Sequence, residues 1–202
     1  LQPAEADEVA AEEPLEIRVE GESIAVVMRT PGHDRELAAG FALTEGIVER
    51  SAEIFEITSC GGPESATGNV VEITLTNPAS FSAAKFSRHI FSSSSCGICG
   101  KATIEAAMRQ FPPIVEAPRI DPVMLLRLPA TLRAAQETFQ RTGGLHACAL
   151  FSLDGELLPL REDVGRHNAL DKLIGHDLPA RRFPVGNVVL LSTRLVVFRI
   201  TR

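Results

Sequence analysis

The chain has 202 residues, 45% hydrophobic and 23% charged, enough to bury an ordinary core in one domain with or without a small appendage. Its formal charge of -6 excludes non-specific nucleic-acid binding as the main task, because that requires a basic face to neutralise phosphates. No apolar run is long enough to cross a bilayer and no secretion-signal pattern opens the chain, so no membrane association and a cytoplasmic location are expected.

Residues 1–14 carry Glu5, Asp7, Glu8, Glu12 and Glu13 with little to bury, and read as a flexible acidic tail. Leu1 is not an initiator methionine, which points to a start trimmed from a longer chain. Apolar and polar residues then alternate on both sides of Gly21-Glu22, in Ile17 and Val19 and again in Ile24, Val26 and Met28, which predicts a hairpin over residues 17–28 closed by Thr30-Pro31-Gly32. Leu37, Ala38, Phe41 and Ala42 recur at helical spacing, so a helix is predicted over residues 35–44, ending near Gly46. A second strand pair, residues 54–57 and 70–75, brackets the turn Cys60-Gly61-Gly62-Pro63.

A serine run at residues 92–95 leads into Cys96-Gly97-Ile98-Cys99-Gly100 and a helix predicted over residues 102–111, stopped by Pro112-Pro113. Residues 124–139 read as helical with an interruption near Pro129, and Thr142-Gly143-Gly144 turns the chain into the apolar strand 145–151. Asp154-Gly155 is a hairpin signal returning through residues 156–160. A short helix over residues 168–174 ended by Gly175 and a buried strand over residues 188–191 complete the series. The alternation of strands and helices predicts an α/β layered core in residues 92–202, preceded by a smaller strand-rich part in residues 15–91.

Of the four cysteines, Cys60, Cys96, Cys99 and Cys148, the pair Cys96 and Cys99 carries the chemistry; four are too few for a disulfide framework. Two thiols at a helix start face unpaired amides and the positive end of the helix dipole, which favour thiolate, and Lys101 adds a cation. Such a pair can ligate a metal, exchange a disulfide, or take up a sulfane sulfur and pass it on. A structural zinc site needs two further ligands, and no second close pair exists, so no structural metal is expected. A thioredoxin-like motif follows a strand directly, whereas a serine run precedes Cys96. A zinc deaminase needs an upstream His-x-Glu, and none of the five histidines is followed two residues later by glutamate. The spacing itself leaves the three uses open, and a scaffold built on half a metal site is the binding-module alternative.

A second constellation, Arg161-Glu162-Asp163-Val164-Gly165-Arg166-His167-Asn168-Ala169-Leu170-Asp171-Lys172, places a dense polar stretch between a strand and a short helix. Asn168 or a neighbour is expected to cap that helix, with Arg166, His167 and Lys172 offering cations and donors to a phosphate or pyrophosphate and Glu162 and Asp163 orienting them. His146 is expected near the same pocket.

Five ordered blocks now resemble one family, the formate dehydrogenase accessory sulfurtransferases, or FdhD family. They are Met28-Arg29-Thr30-Pro31-Gly32, the stretch from Glu36-Leu37-Ala38-Ala39-Gly40-Phe41 to Glu45-Gly46-Ile47-Val48, residues 95–101, Thr142-Gly143-Gly144-Leu145-His146-Ala147, and residues 162–172, and together they span most of residues 15–192. The resemblance implies a cytidine-deaminase-like α/β core, a homodimer, and a sulfurtransferase that takes persulfide sulfur from a cysteine desulfurase. It passes that sulfur to the bis-molybdopterin guanine dinucleotide form of the molybdenum or tungsten cofactor for formate dehydrogenase, with Cys96 and Cys99 matching the family's cysteine pair. A variant of the same reading is a chaperone that binds the cofactor without handling sulfur. After residues 188–192, similar proteins continue through a serine- and alanine-rich section, whereas here Thr193 is followed at once by Arg194-Leu195-Val196-Val197-Phe198. The C-terminal section is therefore expected to be incomplete, and Arg194 is carried over as a remnant of the nucleotide site.

Overall fold

The computed structural model describes residues 7–60, 68–82, 120–178 and 188–191. The alternating segment forms β1 (Glu13–Val19) and β2 (Glu22–Arg29), an antiparallel hairpin whose inward residues Leu15, Ile17, Val19 and Ile24 are buried. Its turn is Glu20-Gly21, both with positive φ. The strand starts at Glu13, inside the stretch read as a tail, and Glu13 is held there through Arg29 Nη1 at 3.3 Å. Next come α1 (Asp34–Thr44), β3 (Ile54–Ser59) and β4 (Val70–Leu75). The first sheet has the order β2-β1-β4-β3, with β1 and β4 parallel and the outer pairs antiparallel. Leu37, Ala38 and Ala42 of α1 close one apolar core with Leu15, Ile17, Val19, Val71, Ile73 and Leu75.

The second half supplies α2 (Pro122–Ala135), α3 (Glu137–Thr142), β5 (His146–Phe151), β6 (Leu157–Asp163), α4 (Arg166–Asp177) and β7 (Val188–Leu191). Here β5 is the middle strand of an antiparallel sheet ordered β6-β5-β7. Its continuous apolar run is what a strand covered on both faces requires. Ala147, Ala149 and Phe151 meet Leu128 and Leu132 of α2, while Cys148 and Leu150 meet Ala169 and Leu173 of α4. Helix α4 in turn packs on α1, so the described chain is a mixed α/β fold in which two helices lie between two sheets. Among the described residues, no helix is long and apolar enough to cross a membrane.

Three expectations need correction. The helical stretch before β5 breaks at Gln136 (φ -80, ψ 82), not near Pro129, which sits inside α2. The break is fixed from outside: the carboxylate of Glu162 on β6 accepts from the amides of Thr138 and Phe139 at 3.0 and 2.9 Å, capping α3 as a separate helix. Helix α4 begins at Arg166, with Gly165 as its cap residue, and Asn168 turns its side chain away to other partners. It also runs through Gly175 instead of ending there. The glycine serves packing: a Cβ at Gly175 would lie 1.8 Å from the carbonyl oxygen of Glu36, and one at Gly40 would lie 1.9 Å from that of Asp171. The two helices therefore touch backbone to backbone through a glycine on each.

Candidate functional site

The β6–α4 junction is built around Asp163, whose carboxylate is fully buried. Four donors converge on it. Oδ1 accepts from the amide of Gly165 at 2.8 Å and from Asn168 Nδ2 at 3.0 Å. Oδ2 accepts from the amide of Thr30 at 3.1 Å and pairs with Lys172 Nζ at 2.7 Å. A buried carboxylate is tolerated when it is both paired and fully hydrogen-bonded, and these contacts meet that condition. The same groups bind the Thr30 turn from the other half of the chain: Lys172 Nζ donates to Thr30 O at 2.8 Å, Val164 N donates to Thr30 Oγ1 at 3.1 Å, and Asn168 Nδ2 donates to Met28 O at 2.7 Å. Behind the turn, Arg29 forks onto Asp34 through two contacts of 2.9 Å and reaches Asn69 at 3.0 Å.

On this support the first turn of α4 presents Arg166 and the exposed His167. Partial burial and the neighbouring Arg166 hold the His167 imidazole below its usual range, opposed by the charge of Glu45. One turn on, Asp171 is buried against α1, and burial pushes its carboxyl up to about 8, with Thr44 pulling the other way and Glu45 and Asp163 adding repulsion. The hydroxyl of Thr44 lies 2.9 Å from Asp171 Oδ1 and 3.3 Å from Phe41 O. The hydroxyl has one proton for two acceptors, and its donation to Asp171 Oδ1 is the contact that draws that carboxyl back down.

The residues singled out from the sequence are therefore placed as follows. His146 opens β5 in register with Asp163, the last residue of β6, at the end of the second sheet from which the chain enters α4. Lys172 departs from its expected role: it is 1% exposed and committed to Asp163 and Thr30 O, so it braces the turn instead of facing solvent. Glu162 caps α3, and only Asp163 braces a cation of the motif. Cys96, Cys99 and Arg194, with the helix predicted over residues 102–111, lie outside the described residues. Cys60 is exposed and Cys148 buried, with burial and then the charge of Asp171 raising the Cys148 thiol far above its ordinary value. A cavity of about 420 Å³ opens elsewhere, lined by Arg35, Glu36, Phe55, Ile57 and Leu178 among others, and none of His146, Arg166, His167 or Lys172 lines it. Sequence patterns gave no direct sign of the bracing role of Thr30 and Asn168, which read as a turn and a cap; the only signal for it was that both stand in blocks of the family resemblance.

The family model for the FdhD/NarQ family matches residues 10–197. The chain belongs to the FdhD/NarQ family. Curated relatives extend the match: the sulfur carrier protein FdhD of Streptomyces avermitilis is 43% identical over 97% of this chain and 72% of its own length. Those of Mycobacterium tuberculosis and Sulfurisphaera tokodaii are 41% and 40% identical, over 96% and 95% of this chain and 73% and 71% of their own lengths. The fold of this FdhD/NarQ member is shared with the crystal structure of a candidate formate dehydrogenase accessory protein from Desulfotalea psychrophila, at a TM-score of 0.59 and 22% identity over 92% of this chain. The chain spans 64% of that protein.

Proposed function

We propose that this FdhD/NarQ member is a sulfur carrier in formate dehydrogenase maturation, working as a sulfurtransferase through a persulfide on the Cys96–Cys99 pair. The observation that carries the reading is the match, at 40% identity or more and over nearly the whole chain, to relatives named sulfur carrier proteins. A cysteine desulfurase supplies the sulfur. The thiolate of Cys96 or Cys99 attacks the outer sulfur of the desulfurase persulfide, the sulfur–sulfur bond there breaks, and the desulfurase cysteine leaves as thiolate. The new persulfide then presents its terminal sulfur to the molybdenum or tungsten centre of the bis-guanine-dinucleotide cofactor, which is the substrate. His146, Arg166, His167 and Arg194 are assigned to that substrate's phosphates and base, and Lys172 to holding the turn beneath them. In keeping with the family, the protein acts in the cytoplasm as a homodimer, residues 92–202 form a cytidine-deaminase-like core, and residues 15–91 contribute the first sheet and α1.

Mass spectrometry after incubation with a cysteine desulfurase and cysteine tests the reading. One added sulfur is expected on the peptide holding Cys96 and Cys99, removed by reductant and absent after Cys96→Ala with Cys99→Ala. Unchanged sulfur loading in that double variant rejects the mechanism.

A further inference from the structure

β3 is an outer strand of the first sheet, with β4 on one side and, among the described residues, no strand on the other. Cys60 N donates to Val70 O at 2.8 Å, and in an antiparallel ladder every second residue turns its backbone groups to the partner strand, so Thr58 and Glu56 also face β4. Ile57 and Ser59 therefore turn their N–H and C=O groups to the open edge. The residue opposite Ile57 agrees: Ile73 O is turned away from β3 and accepts from Glu20 N at 3.1 Å. A bulge at Phe55 interrupts the ladder only at the start of the strand and leaves residues 56–59 regular. Beside this edge lies the cavity of about 420 Å³, lined by Ile54 and Ile57 of β3, Ala39 of α1 and Leu178 of α4, with Phe55 at its mouth and 72% exposed. Its carboxylate Glu36 is taken up by the guanidinium fork of Arg161 and by His176 Nδ1 at 3.1 Å. Arg35 and Glu56, one charge of each sign, have no partner among the described residues. An open ladder edge, an exposed aromatic ring and an apolar hollow thus coincide, and each marks a surface made to be covered.

We propose that β3 pairs antiparallel with β3 of a second copy of this chain, joining the two first sheets across a two-fold axis at Ile57. The occupant follows from the strand's own sequence. Edge-facing residues form hydrogen-bonded pairs only with edge-facing residues, and in the register centred on Ile57 that residue meets its own copy while Phe55 and Ser59 meet each other. Glu56 then faces Thr58, so no like charges oppose one another. The contact is isologous and closes at two copies, removing the open edge from both. Pairing β3 with β2, the other outer strand of the sheet, would instead continue without end. The proposal rests on the homodimer reading of the protein and gives that dimer its surface.

Sedimentation velocity on the full chain over a range of concentrations, with amide hydrogen exchange read by NMR on the same samples, tests this. The amides of Ile57 and Ser59 have no acceptor among the described residues, so their protection in the dimer is the direct signature. Ser59→Pro removes only an outward N–H and keeps β3 on β4, and should weaken dimerisation by about 10- to 100-fold. Phe55→Asp should weaken it as well, while Val26→Asp, at an exposed position on β2, should leave the dimer intact. A monomer at every concentration overturns the proposal together with the homodimer reading. A dimer whose Ile57 and Ser59 amides exchange unprotected, or that survives both β3 variants, or that responds equally to Val26→Asp, overturns this surface alone. Exchange is read on the unsubstituted chain and decides even if a variant fails to fold.

Discussion

The two ends of α4 are attached by different physics. At the start, Asp163 and Lys172 are withdrawn from water almost completely and satisfied by Thr30, Gly165 and Asn168, so the attachment rests on complete hydrogen bonding of buried charge. At the end, Glu36, Arg161 and His176 stay in reach of solvent, and closeness is secured by Gly40 and Gly175, which let the backbones of α1 and α4 meet. A buried charge pair is worth little in net stability, yet removing one partner is costly because the other is left uncompensated. The second cluster is only partly withdrawn, so water compensates part of its charge when a partner is removed and cutting it costs less. Thus the start of α4, which presents Arg166 and His167, is held by buried charge that must be fully satisfied, while its far end is held by close backbone packing and a partly exposed cluster.

The largest expected effect breaks the first attachment. Lys172→Met leaves Asp163 buried without its cation and should cost about 3–5 kcal/mol in urea denaturation, with much of that recovered when Asp163→Asn is added. A double variant as unstable as the single one would mean that the pair itself, and not the orphaned charge, dominates. Next comes Gly175→Ala, which places a methyl against the Glu36 carbonyl oxygen. Overpacking of about 3 kcal/mol, less about 1 kcal/mol gained from alanine's helix propensity, predicts a net loss of about 2 kcal/mol in thermal unfolding. A neutral or stabilising result would show that the helices separate at no cost.

The smallest effect sharpens the contrast between the two ends. Asp171 lies between them, and its folded value of about 8 stands above the ordinary aspartate value of about 3.9. The folded state therefore holds a proton that the unfolded state has released. Its contribution to stability is present in full below about pH 4 and falls as pH rises toward about 8, above which it levels off. Asp171→Asn removes that slope, so relative to the parent chain the variant should gain about 1–2 kcal/mol between about pH 6 and about pH 8 in denaturant titrations. Parallel pH profiles for the two proteins would place the proton elsewhere.

Elements with local signals were legible in the sequence. The hairpin of Ile17, Val19, Ile24 and Met28, the helix of Leu37, Ala38, Phe41 and Ala42, and the apolar strand leading to Phe151 all follow from periodicity within a dozen residues. Glycine was ambiguous for a physical reason: at Gly143 it ends a helix with positive φ, whereas at Gly175 it stays helical because another backbone lies against it, and only the partner helix distinguishes the two. The parallel pairing of β1 with β4 was equally invisible, since it joins strands about fifty residues apart across an intervening helix. Within the polar motif, a helix following the strand could be read from residue order. The burial of Lys172 could not, because it depends on Thr30, a residue 142 positions away whose carbonyl receives the ammonium.

Cys148, at the centre of the second sheet, has one more consequence. Alkylating reagents, like persulfides, react through thiolate, and in the folded chain burial suppresses that form at Cys148 while leaving Cys60 open to solvent. Its modification must wait for β5 to come free of β6 and β7, so the rate at which a thiol reagent consumes Cys148 is a clock for opening of the sheet. Run beside sulfur loading on the same sample, that clock separates molecules that fail to take up sulfur from molecules that have lost their fold.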